Sequence, residues 1–132
     1  MYVPDIDTCY KIHARRTTWR DAFMTCSAEE PHLLVINSEK EMRSVVNLAK
    51  PFLKHIQIDL FAGFVDLNKA GQWTTTHGVA LEESGFEKWT TGEPNNRGET
   101  EYYGSFRYSI GYNDEPSDKK IAFACEKKKH IV

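Results

Sequence analysis

Between positions 93 and 114 the chain reads EPNNRGETEYYGSFRYSIGYND. The stretch pairs an acid with an amide twice, Glu93 with Asn95 and Glu101 with Asn113, and adds a further acid, Asp114. Pro94 and the scattered glycines argue against regular helix. Three carboxylates and two amide oxygens in an irregular loop suit a hard cation, since calcium takes about six to eight oxygen ligands and tolerates such loops. The same groups can hold a sugar. A vicinal diol gives the metal one lone pair from each oxygen, donates each proton to a carboxylate and accepts from an amide N–H, so acid and amide are needed as pairs. The EPN tripeptide alone is an ordinary turn; the specific signal is its combination with Glu101, Asn113 and Asp114.

Composition bounds what can surround this loop. With 132 residues, 40% of them hydrophobic, the chain supports one domain with a real core, spanning residues 1–132. A net charge of −2 with scattered lysines and arginines steers it toward neither nucleic acid nor an anionic membrane. No apolar run approaches the roughly 18 residues of a membrane span, and no secretory signal pattern stands at the start, so a mature or excised piece is expected. Three cysteines do not define a disulfide framework by count. No CxxC or HExxH pattern points to zinc, and none of the five histidines lies four residues from another.

The elements that must position the loop are legible in part. Residues Tyr2 to Ile12 read as a strand or hairpin at one edge. A threonine cap opens a helix that places Trp19, Ala22, Phe23 and Cys26 on one stripe and runs to about Glu29. Leu33 to Ile36 reads as a short apolar strand. Ser38 through Glu41 forms a capping box for a second helix with Met42, Val45, Val46 and Ala49 facing inward, closed by Pro51. Ile56 to Val65 reads as a buried strand, with Gly63 where neighbours approach closely. From Asp66 to Gly92 turns dominate, with a short strand expected within Gln72–Thr76 and with Phe86 and Trp89 as apolar anchors. Ile121 to Glu126 is the closing strand.

Taken together, these residues resemble the C-type lectin domain over nearly the whole chain. Glu93-Pro94-Asn95 is similar to that family's mannose-type loop motif and Tyr112-Asn113-Asp114 to its Trp-Asn-Asp motif, with Glu101 between them at the family's spacing. Cys9-Tyr10-Lys11, the Trp19, Ala22 and Cys26 helix, Ala62-Gly63-Phe64, Gln72-Trp73, Trp89 and Phe123-Ala124-Cys125-Glu126 supply the frame, and the texture resembles insect haemolymph lectins. The resemblance implies an α+β fold of two helices flanking small antiparallel sheets, with a long calcium-binding loop. It also implies a Cys26–Cys125 disulfide and hence a secreted, extracellular protein. Calcium and a mannose-type glycan, microbial surface polysaccharide among the targets, would be held by Glu93, Asn95, Glu101, Asn113 and Asp114. Oligomerisation is left open.

Departures from the family pattern carry expectations of their own. The bridge that pins the long loop would join positions 103 and 117, occupied here by Tyr103 and Ser117, so the loop is expected to be looser. Cys9 matches half of an extra N-terminal bridge whose other cysteine is absent, leaving it free or paired outside this chain. An auxiliary calcium site would use Asp66, Ala70, Asn96 and Tyr102; two of these offer no acid or amide, so that site is expected to be missing. The alternative function is a calcium-independent, lectin-like domain that binds protein or lipid, favoured by the missing bridge and by the aromatics Tyr102, Tyr103, Phe106, Tyr108 and Tyr112. A glycosidase is disfavoured, because carboxylates beside amides suit coordination better than an acid–base pair of split pKa.

Overall fold

A computed structural model describes residues 2–4, 8–28, 31–51, 59–66, 71–90, 92, 101–107 and 111–128, with Val3, Glu101 and Lys128 described by their backbone alone. The chain opens with a hairpin, β1 (Tyr2–Val3) against β2 (Thr8–Thr17), as its Tyr, Val and Pro content predicts. Helix α1 (Trp19–Ser27) starts where the Thr18 hydroxyl accepts from the Asp21 amide at 3.3 Å, one of the orphan donors of the first turn. Trp19, Ala22 and Cys26 form its buried stripe, and the Trp19 indole donates to the Ala62 carbonyl at 2.7 Å.

Strand β3 (His32–Leu33) is shorter than the apolar run around it. Leu34 and Ile36 are buried as expected, but the Val35 amide donates to Glu126 Oε1 at 2.7 Å and the Asn37 amide to Glu41 Oε1 at 2.7 Å. Side chains take the bonds a ladder would otherwise make. In helix α2 (Glu39–Ala49) the Ser38 hydroxyl accepts from the Glu41 amide, so the first half of the capping box is present. The second half differs, because the Glu41 carboxylate accepts from Asn37 and from the Tyr10 hydroxyl rather than from the Ser38 amide. This ties α2 to β2. Burial, the hydrogen bond to Glu41 and the charge of Glu41 together push the Tyr10 phenol far above its ordinary range.

The remaining strands are β4 (Asp59–Val65), β5 (Thr74–Thr75), β6 (Glu101–Arg107), β7 (Gly111–Pro116) and β8 (Ile121–Lys128), with a 3-10 turn at Leu81–Glu83. Among the described residues eight strands form one sheet in the order β1-β2-β8-β4-β6-β7, with β3 added to β8 and β5 to β4. The expected α+β architecture of two helices and a sheet is present, and the sheet is mixed rather than purely antiparallel, because β4 and β8 run parallel through Leu60↔Ala122 and Phe61↔Phe123. A parallel pair needs a long crossover, and the whole segment from Asp66 to Lys120 supplies it.

Strand alternation divides the core. Leu60, Ala62 and Phe64 of β4 with Ala122 and Ala124 of β8 pack against α2, while Phe61, Val65, Ile121, Phe123 and Cys125 pack with α1. Both faces are covered, which is why these two strands read as continuous apolar runs. At Gly63 a side chain would meet the Leu33 carbonyl at 2.8 Å, the close approach the sequence suggests. Cys26 and Cys125 form a disulfide joining α1 to β8, and Cys9, half-buried on β2, takes no part in one. No helix among the described residues is long and apolar enough to cross a membrane.

Candidate functional site

The β6–β7 hairpin carries the part of the site that is described. Phe106 and Tyr112 stand opposite each other in register, both buried, and give the hairpin its apolar root. Tyr112 is the anchor. Its ring lies 4.5 Å from that of Phe64 and 5.2 Å from that of Phe86, and its backbone accepts from the Thr90 amide at 2.8 Å and donates to the Lys88 carbonyl at 2.6 Å. The segment through Trp89 is thereby stitched alongside β7. Burial pushes the Tyr112 phenol far above its ordinary range, and its hydroxyl donates to the Ile36 carbonyl at 3.4 Å.

Beyond this anchor stand two of the five expected ligands. Asn113 pairs with Ser105 and Asp114 with Gly104, and their exposures are only 7% and 1%. The Asn113 amide oxygen is buried with no hydrogen-bond partner. Its amide nitrogen is 3.4 Å from Glu115 Oε2, which also accepts from the Ser105 hydroxyl at 2.8 Å. Leaving a buried acceptor unsatisfied costs about 1–3 kcal/mol, so this oxygen suits an incoming cation or donor. Glu101 begins β6, with its backbone opposite Pro116, and its side chain lies outside the described residues, as do Glu93 and Asn95 entirely. The structure thus sets Asn113 and Asp114 at consecutive positions of β7 and Glu101 on the neighbouring strand. Among the described residues no group of three or more His, Cys, Asp and Glu side chains is placed to hold a metal; the expected set draws two of its three carboxylates from Glu93 and Glu101.

Other expectations divide in the same way. Of the auxiliary positions, Asp66 is buried and its Oδ2 accepts from the Gly71 amide at 2.7 Å. Tyr102 lies half-buried on β6, and Ala70 and Asn96 are outside the described residues. Where the family's second bridge would begin, the Tyr103 ring packs 5.1 Å from that of Trp19. Sequence reasoning missed Ser105 and Glu115. The alternation of Asn113 and Glu115 along one strand face was the available signal, but Ser105 meets them only once the hairpin register is known.

The family model of the lectin C-type domain matches residues 15–127 of this chain. The hemolymph lipopolysaccharide-binding protein of Periplaneta americana is 34% identical over 122 residues, covering 89% of this chain and 48% of that protein. A C-type lectin of Micrurus corallinus is 32% identical over 122 residues, covering 89% of this chain and 75% of its own length. The chain therefore spans about half of the first relative and three quarters of the second. Among solved structures, the carbohydrate-recognition domain of the mouse scavenger receptor C-type lectin shares the fold with a TM-score of 0.80 at 24% identity, over 96% of this chain and 92% of that one.

Proposed function

The chain belongs to the C-type lectin domain family, a carbohydrate-binding and non-enzymatic family, and from that premise we propose that it is a calcium-dependent carbohydrate-recognition module of the mannose, fucose and glucose class, secreted and directed at microbial polysaccharide. The observation that carries this reading is the Asn113 amide oxygen, buried without a hydrogen-bond partner, on the residue that precedes the buried Asp114. Amide and carboxylate oxygens are the donors calcium uses, so an orphaned amide oxygen followed in the chain by an acid fits the ion. Glu93, Asn95, Glu101, Asn113 and Asp114 are the residues that would hold it. Bound there, calcium would take a lone pair from each of two adjacent sugar hydroxyls.

The protein's own groups supply the rest. The Glu93 and Glu101 carboxylates accept the two hydroxyl protons, and the Asn95 and Asn113 amides donate to the two hydroxyl oxygens. Two adjacent hydroxyls held by four directional bonds are read as a pair, so selectivity follows from the order of acid and amide. The order Glu93 then Asn95 places acceptor and donor as the mannose-type motif does. Secretion is supported by the Cys26–Cys125 disulfide, a bond that persists in oxidising compartments. A microbial target is supported by the Periplaneta relative, whose name states lipopolysaccharide binding.

Retention on mannose resin at neutral pH, released by chelator and restored by calcium, is the expected result. Glu101→Gln, which removes one of three negative charges, should weaken calcium binding by calorimetry. The double change Glu93→Gln with Asn95→Asp reverses acid and amide and should turn preference toward galactose. The packing of Tyr103 on Trp19 where the family has a bridge favours a second reading, a lectin-like domain binding protein or lipid without calcium. Retention on mannose that ignores chelator, or a parent protein whose melting does not respond to calcium, would decide for it.

A further inference from the structure

We infer that Glu115 is a positioning residue of this site, holding the Asn113 amide with its nitrogen toward the Glu115 carboxylate and its oxygen turned away, bare and ready for a ligand. The inference rests on the calcium-dependent reading above and adds a residue that the five-ligand set does not contain. Asn113 and Glu115 share one face of β7, and Ser105 lies directly opposite Asn113 on β6. All three are buried, at 7%, 5% and 0% exposure. Glu115 Oε2 accepts from Ser105 Oγ at 2.8 Å and from Asn113 Nδ2 at 3.4 Å.

The chemistry fixes the direction of the amide. An ionised carboxylate only accepts, so it can face the NH2 end of an asparagine and repels the carbonyl end. Ser105 has a single proton, which the carboxylate takes over the Asn113 backbone carbonyl 3.3 Å away, the charged and nearer acceptor being the stronger. Ser105 therefore holds Glu115, and Glu115 holds Asn113. A purely structural arrangement would satisfy both ends of the buried amide. Here the nitrogen is held and the oxygen has no partner, and turning the amide over would set oxygen against carboxylate. The ligand oxygen is thus oriented before any ion arrives, as outer-shell partners orient the ligands of metal sites. One of the two amide N–H groups is committed to Glu115, which leaves one for a sugar hydroxyl.

Calcium titration by calorimetry on the parent, Glu115→Ala and Glu115→Gln tests this. Losing an outer-shell partner typically weakens metal binding by about 10- to 100-fold, and Glu115→Ala should do the same while its melting temperature in chelator shows it folded. Glu115→Gln keeps an oxygen that accepts both bonds and should stay within about three-fold of the parent. Equal affinity of parent and Glu115→Ala overturns the inference. So does a loss in Glu115→Gln as large as in Glu115→Ala, since that would make the carboxylate a ligand or a mere charge. A parent that binds no calcium removes the proposed function instead. The Asn113 side-chain amide protons, followed by NMR in metal-free parent protein, then decide separately: one proton slow to exchange supports the held amide, and two that exchange equally fast overturn it. That measurement also decides if Glu115→Ala fails to fold.

Discussion

Replacing Gly104 by alanine tests how tightly the hairpin that carries the site is set against the core. Gly104 pairs with Asp114 across β6 and β7, and a Cβ added there would stand 2.5 Å from Phe64 Cδ2 and closer still to two further ring atoms, Cε2 and Cζ. Ordinary carbon contacts lie near 3.5–4.0 Å, so about 1 Å or more must be found by movement. The Phe64 ring cannot supply it cheaply. It is fully buried and walled by Trp73 at 5.6 Å, Trp89 at 5.6 Å and Tyr112 at 4.5 Å. Overpacking of this kind costs about 1–3 kcal/mol, and a boxed ring argues for the upper half, about 2–3 kcal/mol. For a domain of this size that is roughly 6–10 °C in melting temperature. Because the movement that relieves the clash shifts β6 away from β4, it also displaces Asp114, so calcium affinity should fall along with stability. Scanning calorimetry with and without calcium reads both. Gly92→Ala is the control: Gly92 has φ of 86° and nothing within 4 Å of an added Cβ, so only the left-handed backbone penalty of about 1–2 kcal/mol applies. A Gly104→Ala protein that melts within about 2 °C of the parent would refute the reasoning.

Three further outcomes follow from the fold. Changing both Cys26 and Cys125 to alanine opens a ring with a sequence separation of 99 and should cost about 4–5 kcal/mol in the chain-entropy model; a denaturant titration showing less than about 1 kcal/mol would contradict it, and Cys9 should be the one thiol alkylated in denatured, unreduced protein. Glu41→Ala removes the acceptor of the buried Tyr10 hydroxyl and of the Asn37 amide and should cost about 1–3 kcal/mol, whereas Glu39→Ala removes only the exposed partner of Arg43 at about 0.5 kcal/mol; equal melting of the two variants would sink the assignment. Burial raises the Tyr10 and Tyr112 phenols above their unfolded value, which is near 10. Above about pH 10 the unfolded chain thus loses protons that the fold keeps, and stability, fully present below that pH, falls by up to about 1.4 kcal/mol per pH unit for each phenol. Tyr10→Phe should flatten the decline of melting temperature above pH 10, and an unchanged slope would count against it.

What the sequence showed and what it hid have physical reasons. Both helices were legible because cap and stripe are local: Thr18 and Ser38 accept the amides three residues on, and the inward residues follow at helical spacing. β4 and β8 were legible as apolar runs because both their faces are covered. The early end of β3 was not, since it depends on Glu126 and Glu41 bonding backbone amides from distant parts of the chain. In the loop, Gly104 reads as punctuation in the sequence, yet it sits inside a regular strand and is small because Phe64 lies against it. Asn113 and Asp114 are proposed as ligands from residue type and spacing. Glu115 was not legible there, because its role appears only when the register sets Ser105 opposite Asn113.

The absent loop bridge shows what kind of stabilisation replaced it. A disulfide between positions 103 and 117 would close a loop of about 15 residues, for roughly 3 kcal/mol. In its place the half-buried Tyr103 packs on Trp19. A fully buried aromatic contributes about 1.5–3 kcal/mol and a ring pair about 0.5–1.5 more, so the half-buried Tyr103 recovers part of what the bridge would supply. The two differ in where the energy acts. A covalent bridge constrains the segment even when it is open, whereas ring contacts and the Ser105–Glu115–Asn113 bonds exist only when it is closed. Opening of this hairpin therefore releases the aromatic packing and the ligand orientation at once, and any ligand that engages the bare Asn113 oxygen stabilises all of them together. That coupling makes the hairpin a single closing unit, with Tyr112 as its root and the proposed ligands Asn113 and Asp114 next along the strand.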